Sequence, residues 1–215
     1  IAEGLDASLK RLQTDYVDLF MPHYPDAAVP LAESLAAFEK AVRQGKVRAL
    51  GCSNFAPADW DAALSCAGAG RPRFEFNQIQ LSLAAPHALA DFAGLCGREG
   101  VSLTVWSPLA GGFLTGKYRG ARRPDGRRRD PAQAFPAVDE ARLEPLLTLL
   151  EKVAAFEQMT MTQAALGWLL GQPAVASVVV GARRPEQLRE ALAARRLSAK
   201  GRALLDRAAT LTSRR

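Results

Sequence analysis

Histidine and cysteine are scarce in this chain of 215 residues, which holds two of the first and three of the second. Cys52, Cys66 and Cys96 form no CxxC pair. That argues against a zinc site and a disulfide framework, and for a reducing, cytoplasmic setting. No stretch approaches the roughly 18 uncharged apolar residues of a membrane span. No secretory leader opens the sequence, and neither does an initiator Met. The chain begins on IAEGLDASLKRL, which reads as a helix, so an N-terminal part is expected to be missing. No GxGxxG follows a strand and opens a helix, which counts against a doubly wound dinucleotide fold.

What is present is the composition of a folded domain. Hydrophobic residues make up 48%, enough for a core and unlike a disordered chain. The length fits one domain or a large part of one. The formal charge is +6. The excess is mostly arginine spread along the chain, which suits either an anion site or an ordinary arginine-rich surface.

Short apolar runs alternate with segments of helical period. YVDLFM (Tyr16 to Met21) reads as a strand, Leu31 to Arg43 as a helix stopped at Gln44-Gly45, and KVRALGCSNF as a second strand. A helix from Ala56-Pro57 to Ala67, the strand FEFNQIQLSL and the helix HALADFAGLCGREG follow. VSLTVWSPLAGG is a fourth strand running into a glycine-rich loop, and ASVVVGA is a fifth ahead of the helix RPEQLREALAA. Between them, the Arg-, Pro- and Gly-rich segment Arg119 to Ala137 reads as a mobile loop, with helices at Asp139 to Phe156 and Thr162 to Leu170. A last helix is capped by Ser198. This alternation predicts a parallel sheet of βα units. Polar residues gather at the strand ends, namely His23, Ser53-Asn54, Gln78, Trp106-Ser107 and Gly181-Arg183. In a (β/α)8 barrel those ends converge on the functional face.

Each group admits two readings. His23 is a catalytic imidazole or a turn residue between prolines. Ser53 and Asn54 suit a flat amide ligand, or Asn54 caps the following helix. Gln78 inside an apolar strand needs a partner, protein or ligand. Trp106 stacks on a planar ring or simply packs. SPLAGGFLTGKY offers glycines and Lys117 to a phosphate without matching a Walker pattern. Arg183, with the helix start near Pro185 and with Gln187 and Glu190 one turn apart, suits an adenosine 2′-phosphate or is an ordinary charged helix start.

The stretches SLKRLQTDYVDLFMPHYPD, GKVRALGCSNF, NQIQ, VWSPLAGGFLTGKY and VVVGARRPEQLRE resemble the aldo-keto reductase family, in its order and spacing. The resemblance implies the later part of a (β/α)8 barrel that binds NADPH without a Rossmann fold and reduces aldehydes or ketones by hydride transfer. It implies that His23 is the catalytic histidine, and that Ser53, Asn54 and Gln78 hold the nicotinamide carboxamide. Trp106 stacks on the nicotinamide, where the family usually has Tyr. Ser107, Leu109, Gly111 and Lys117 hold the pyrophosphate. Gly181, Arg183, Gln187 and Glu190 take the adenosine 2′-phosphate and adenine. The family's catalytic Asp, Tyr and Lys fall before Ile1, and Tyr16, Tyr24 and Tyr118 lie outside the proton-donor motif. Ala191 replaces the usual Asn, Pro22 before His23 is unusual, and NQIQLS lacks the common Glu-Tyr.

The expectation is therefore one incomplete barrel domain over residues 1–215 with about five βα units of eight, inactive on its own because three of four catalytic groups are absent. An alternative implied by the same resemblance is a non-catalytic NADPH-binding regulatory subunit. Nucleic acid, membrane and metal are not expected partners. The run Arg127 to Arg129 lacks the interleaved aromatics of a stacking platform.

Overall fold

The computed structural model describes residues 1–68, 70–119 and 140–212. The remaining positions, which include most of the arginine-rich segment expected as a loop, lie outside the described residues. Five strands, β1 (Val17–Phe20), β2 (Val47–Ser53), β3 (Phe74–Gln80), β4 (Ser102–Trp106) and β5 (Val175–Val178), form one sheet in sequence order. β1 pairs with β2 and β2 with β3 in parallel. The α-helices of the described residues are α1 (Ala2–Leu12) ahead of β1, then α2 (Leu31–Arg43), α3 (Pro57–Ala67), α4 (His87–Glu99), α5 (Glu140–Phe156) and α6 (Met161–Leu170) between the strands, and α7 (Pro185–Leu192) and α8 (Ala199–Thr212) after β5. The alternating parallel βα order is the one expected for part of a (β/α)8 barrel.

The chain divides into two compact units, residues 1–79 with 94–103, and residues 80–93 with 104–215. In the first unit an aromatic core joins the helices to the sheet. Phe38 of α2 and Phe55 each meet the Phe74 ring edge-on, at 5.5 and 5.7 Å. Trp60 of α3 is fully buried and donates its indole N–H to the Phe74 carbonyl at 3.0 Å, so its one polar atom is satisfied. α2 buries Leu35, Phe38 and Ala41, spaced by three, and stops at Gln44 before Gly45 in the left-handed region (φ 71°). Cys52 is fully buried in β2. Burial pushes its thiol, and that of Cys96, upward.

The second unit is closed by its C-terminal helices. α6 starts at Met161, one residue earlier than its period suggests, because Thr160 and Gln163 form a reciprocal capping box. Trp168 of α6 donates to Asp206 Oδ1 of α8 at 2.7 Å. The Ser198 hydroxyl accepts from the Gly201 amide at 3.1 Å, the expected cap of α8. Beneath it lies Glu157, whose side chain is 4% exposed. Its Oε1 accepts from the Ser198 amide at 3.1 Å and from the Ser198 hydroxyl, while Arg195 approaches Oε2 at 3.4 Å. Gly201 faces this carboxylate so closely that a Cβ there would lie 2.3 Å from Oε1. β5 is shorter than the apolar run ASVVVGA. Past its end the Val179 amide still donates to the Val105 carbonyl at 2.7 Å before the chain leaves toward Gly181.

Two outcomes follow. Glu157→Ala strips the start of α8 of its buried acceptor and should cost about 3 kcal/mol, read as a lower denaturant midpoint. An unchanged midpoint would contradict the role given to Glu157. Under native conditions near neutral pH, iodoacetamide should modify exposed Cys66 and spare Cys52 and Cys96 until the protein unfolds. Native-state labelling of Cys52 at the rate of Cys66 would contradict its burial.

Candidate active site

In the first unit the loops after β1 and β2 and the end of β3 are tied by one chain of hydrogen bonds. The Ser53 hydroxyl donates to the Gln78 carbonyl at 3.0 Å, and the Asn54 amide donates to the same oxygen at 3.0 Å. The Asn54 carboxamide Nδ2 donates to the His23 carbonyl at 3.0 Å and to Ser53 Oγ at 3.1 Å. Asn54 does not cap α3, whose N-cap is Ala56. It instead takes a left-handed conformation, φ 59°, which a non-glycine residue adopts at a cost. His23 is exposed, and its ring lies 4.5 Å from that of Tyr24 at 49°. The half-buried Gln78 side chain forms no hydrogen bond with any described residue. A carboxamide left this way has both donor and acceptor capacity unused.

The aim of Gln78 depends on register. Leu50 pairs with Phe74 and Cys52 with Asn77, so β3 spends one more residue than β2. This bulge is accommodated at Gly51, where a Cβ would sit 2.7 Å from the Phe76 ring and 3.0 Å from its carbonyl oxygen. Beyond the bulge Asn77 is buried, 0% exposed, and Gln78 is half-exposed.

In the second unit Trp106 ends β4 half-buried, and its carbonyl accepts from the Leu81 amide at 3.3 Å. A short 3-10 helix, Ala110–Thr115, then forms where the glycine-rich stretch suggests only a loop. Positive φ occurs at Ser107 (56°), Ala110 (49°), Gly111 (65°) and Gly112 (96°). The Leu109 carbonyl accepts from the Gly112 and Leu114 amides at 2.9 and 3.2 Å. Lys117 folds back over Gly112, where a Cβ would meet its Nζ at 2.8 Å, and the ammonium stands 5.0 Å from the Tyr118 ring. Arg119, by contrast, is engaged by Glu144, Glu151 and Thr148.

At the start of α7, Gly181 has open space where a Cβ would be. Gln187 turns its Oε1 back to accept from the Arg183 and Arg184 amides at 2.9 and 3.2 Å. Those two amides are thus satisfied internally. The Arg183 guanidinium is exposed and forms no hydrogen bond or ion pair with any described residue. Arg71, Arg98 and Arg119 each pair with a carboxylate. Gln163 Nε2 donates to the Glu190 carbonyl at 3.2 Å, fixing that turn of α7 against α6. Asn77 and Gly51, which shape the Ser53 to Gln78 arrangement, carry no signal in the sequence beyond a polar pair and a glycine inside strands.

Comparison with known proteins agrees with this geometry. The Aldo/keto reductase family matches residues 1–209, and the chain belongs to that family. It is 37% identical over 209 residues to an uncharacterized oxidoreductase of Mycobacterium tuberculosis, covering 94% of this chain and 62% of that protein. It is 33% identical over 200 residues to an Arabidopsis thaliana protein described as a probable voltage-gated potassium channel subunit beta, covering 88% and 60%. It is 31% identical over 203 residues to the NADH-specific methylglyoxal reductase of Escherichia coli (strain K12), covering 90% and 59%. The crystal structure of the thermostable aldo-keto reductase Tm1743 with the inhibitor epalrestat superposes with a TM-score of 0.74 at 31% identity, covering 96% and 65%. The chain thus spans less than two thirds of the length of each. These likenesses make the fold that of an aldo-keto reductase (β/α)8 barrel, represented here by a five-stranded parallel part.

Gly51→Ala should cost about 1–3 kcal/mol by driving a methyl group into Phe76. Thermal unfolding of the variant checks this, and an unshifted midpoint would contradict the close approach of Phe76 to Gly51.

Proposed function

We propose that the protein is an NADPH-dependent oxidoreductase that reduces aldehydes or ketones to alcohols. The observation that carries this reading is the Gln78 carboxamide, without a hydrogen-bonding partner among the described residues and carried by β3 at the position paired with Ser53. The residues present fit the group. In the first unit Gln78, with Asn54 and Ser53, receives the nicotinamide carboxamide, and the His23 imidazole orients the substrate carbonyl oxygen. In the second unit the Trp106 indole offers a stacking face. The amides around Ser107, Leu109 and Gly111, with the Lys117 ammonium, receive the pyrophosphate. Arg183 receives the 2′-phosphate through its fork. Gly181 leaves room for close approach, and Gln187 Nε2 and Glu190 contact the adenine. When bound, the nicotinamide supplies the hydride to the carbonyl carbon. The three free cysteines favour a reducing cytoplasm. Among the described residues no helix is long and apolar enough to cross a membrane.

The likeness to a channel subunit beta favours a second reading, a non-catalytic NADPH-binding regulatory subunit. Turnover of a nitrobenzaldehyde by the full-length protein supports the first reading and rules out the second.

One relative is NADH-specific, so the choice of NADPH rests on Arg183. Fluorescence titration of the full-length protein should show tighter binding of NADPH than of NADH. Arg183→Ala should weaken NADPH by about 10- to 100-fold, the worth of a charged hydrogen bond, and leave NADH unchanged. Equal affinities in the wild type, or no loss in the variant, would contradict this.

A further inference from the structure

Asn77 is the residue of the first unit that follows the ordinary rules least. It is 0% exposed, in the middle of β3. Its Nδ2 donates to the Phe55 carbonyl at 2.8 Å, and its Oδ1 accepts no hydrogen bond from any described residue. A carbonyl cannot donate, so the bond to Phe55 fixes which end of the amide is which. A buried acceptor without a partner is a cost that an apolar side chain of similar size would avoid. Such exceptions concentrate where a site needs them.

The bond made by Asn77 lands on the turn that carries Ser53 and Asn54. Asn54 sits in the left-handed region and is held from three directions. Its amide goes to the Gln78 carbonyl, its Nδ2 goes to the His23 carbonyl, and the next carbonyl along the chain, that of Phe55, is held by Asn77. The bulge opposite Gly51 sets Asn77 against Phe55 while its neighbour Gln78 remains half-exposed. One strand therefore supplies both a ligand-facing amide and the group that clamps the facing turn.

We propose that Asn77 is a positioning residue for nicotinamide recognition, acting through the Phe55 carbonyl to hold Asn54 and Ser53 in their binding conformation. This rests on the cofactor reading given above. Loss of the clamp frees Asn54 to relax from its left-handed conformation. The carboxamide contacts then loosen, while the second unit's contacts to the adenosine 2′-phosphate are left alone.

The test uses two ligands on the full-length protein, NADPH and 2′,5′-ADP, which lacks the nicotinamide. Asn77→Leu keeps the approximate size and removes the donor. It should weaken NADPH by about tenfold or more, on the scale of one lost hydrogen bond, with 2′,5′-ADP affinity unchanged. Should that variant fail to fold, Asn77→Ala, smaller and likewise without a donor, carries the same comparison, and thermal midpoints accompany both. Equal weakening of the two ligands would overturn the proposal by showing a general structural defect, and unchanged binding of both would overturn it by showing no role. If the wild type binds 2′,5′-ADP and NADPH equally, the nicotinamide contributes nothing and the reading of Ser53, Asn54 and Gln78 fails first. If it binds neither, the cofactor reading itself fails.

Discussion

Between Leu50 and Cys52 the second strand advances two residues while the third, from Phe74 to Asn77, advances three. The mismatch is held by the close approach of Phe76 to Gly51, where a side chain would collide with ring and carbonyl alike. Strict alternation along β3 would put residues an odd number apart on opposite faces. The bulge breaks that rule and lets Phe74 and Asn77 both be buried beside Phe55. Gln78 then follows with its side chain half-exposed. The aromatic core, the pinned turn after β2 and the half-exposed setting of the Gln78 amide all depend on this one extra residue.

Around it, strain and restraint are matched. Asn54 and Ser107 follow strand ends with positive φ; the Asn54 amide donates to the Gln78 carbonyl and the Asn77 side chain to the next carbonyl, while the Leu81 and Ala110 amides donate to the Trp106 and Ser107 carbonyls. A turn held this way keeps its polar groups in place before any ligand arrives, so less ordering is left to binding. The same economy governs α7. Gln187 satisfies the Arg183 and Arg184 amides just ahead of the helix, beside the exposed Arg183 and Arg184 side chains.

The alternation of elements was legible because the strands are short apolar runs and the helices carry apolar residues at the helical period. α2 and its stop at Gln44-Gly45 follow directly from that pattern. The candidate site residues stand in motifs beside the strands, which survive as local words in the sequence, and the family they pointed to is the one whose model matches the chain. Other features were not legible because they depend on contacts between segments. The internal satisfaction of the Arg183 amides needs the rotamer of Gln187. The start of α6 needs the reciprocal bonds of Thr160 and Gln163. Asn77 reads as one polar residue beside another, and only the pairing of β2 with β3 reveals that it faces Phe55 while Gln78 does not. Glu157 reads as a surface acid until the C-terminal chain folds over it.

In the proposed function the Gln78 carboxamide receives the nicotinamide. The most direct measurement is the side-chain amide signal of Gln78 in a proton–nitrogen correlation spectrum of the full-length protein, assigned by its loss in Gln78→Glu. The account predicts that this signal shifts on saturation with NADP+ and stays in place with 2′,5′-ADP. A Gln78 signal that stays in place while NADP+ binds would contradict it.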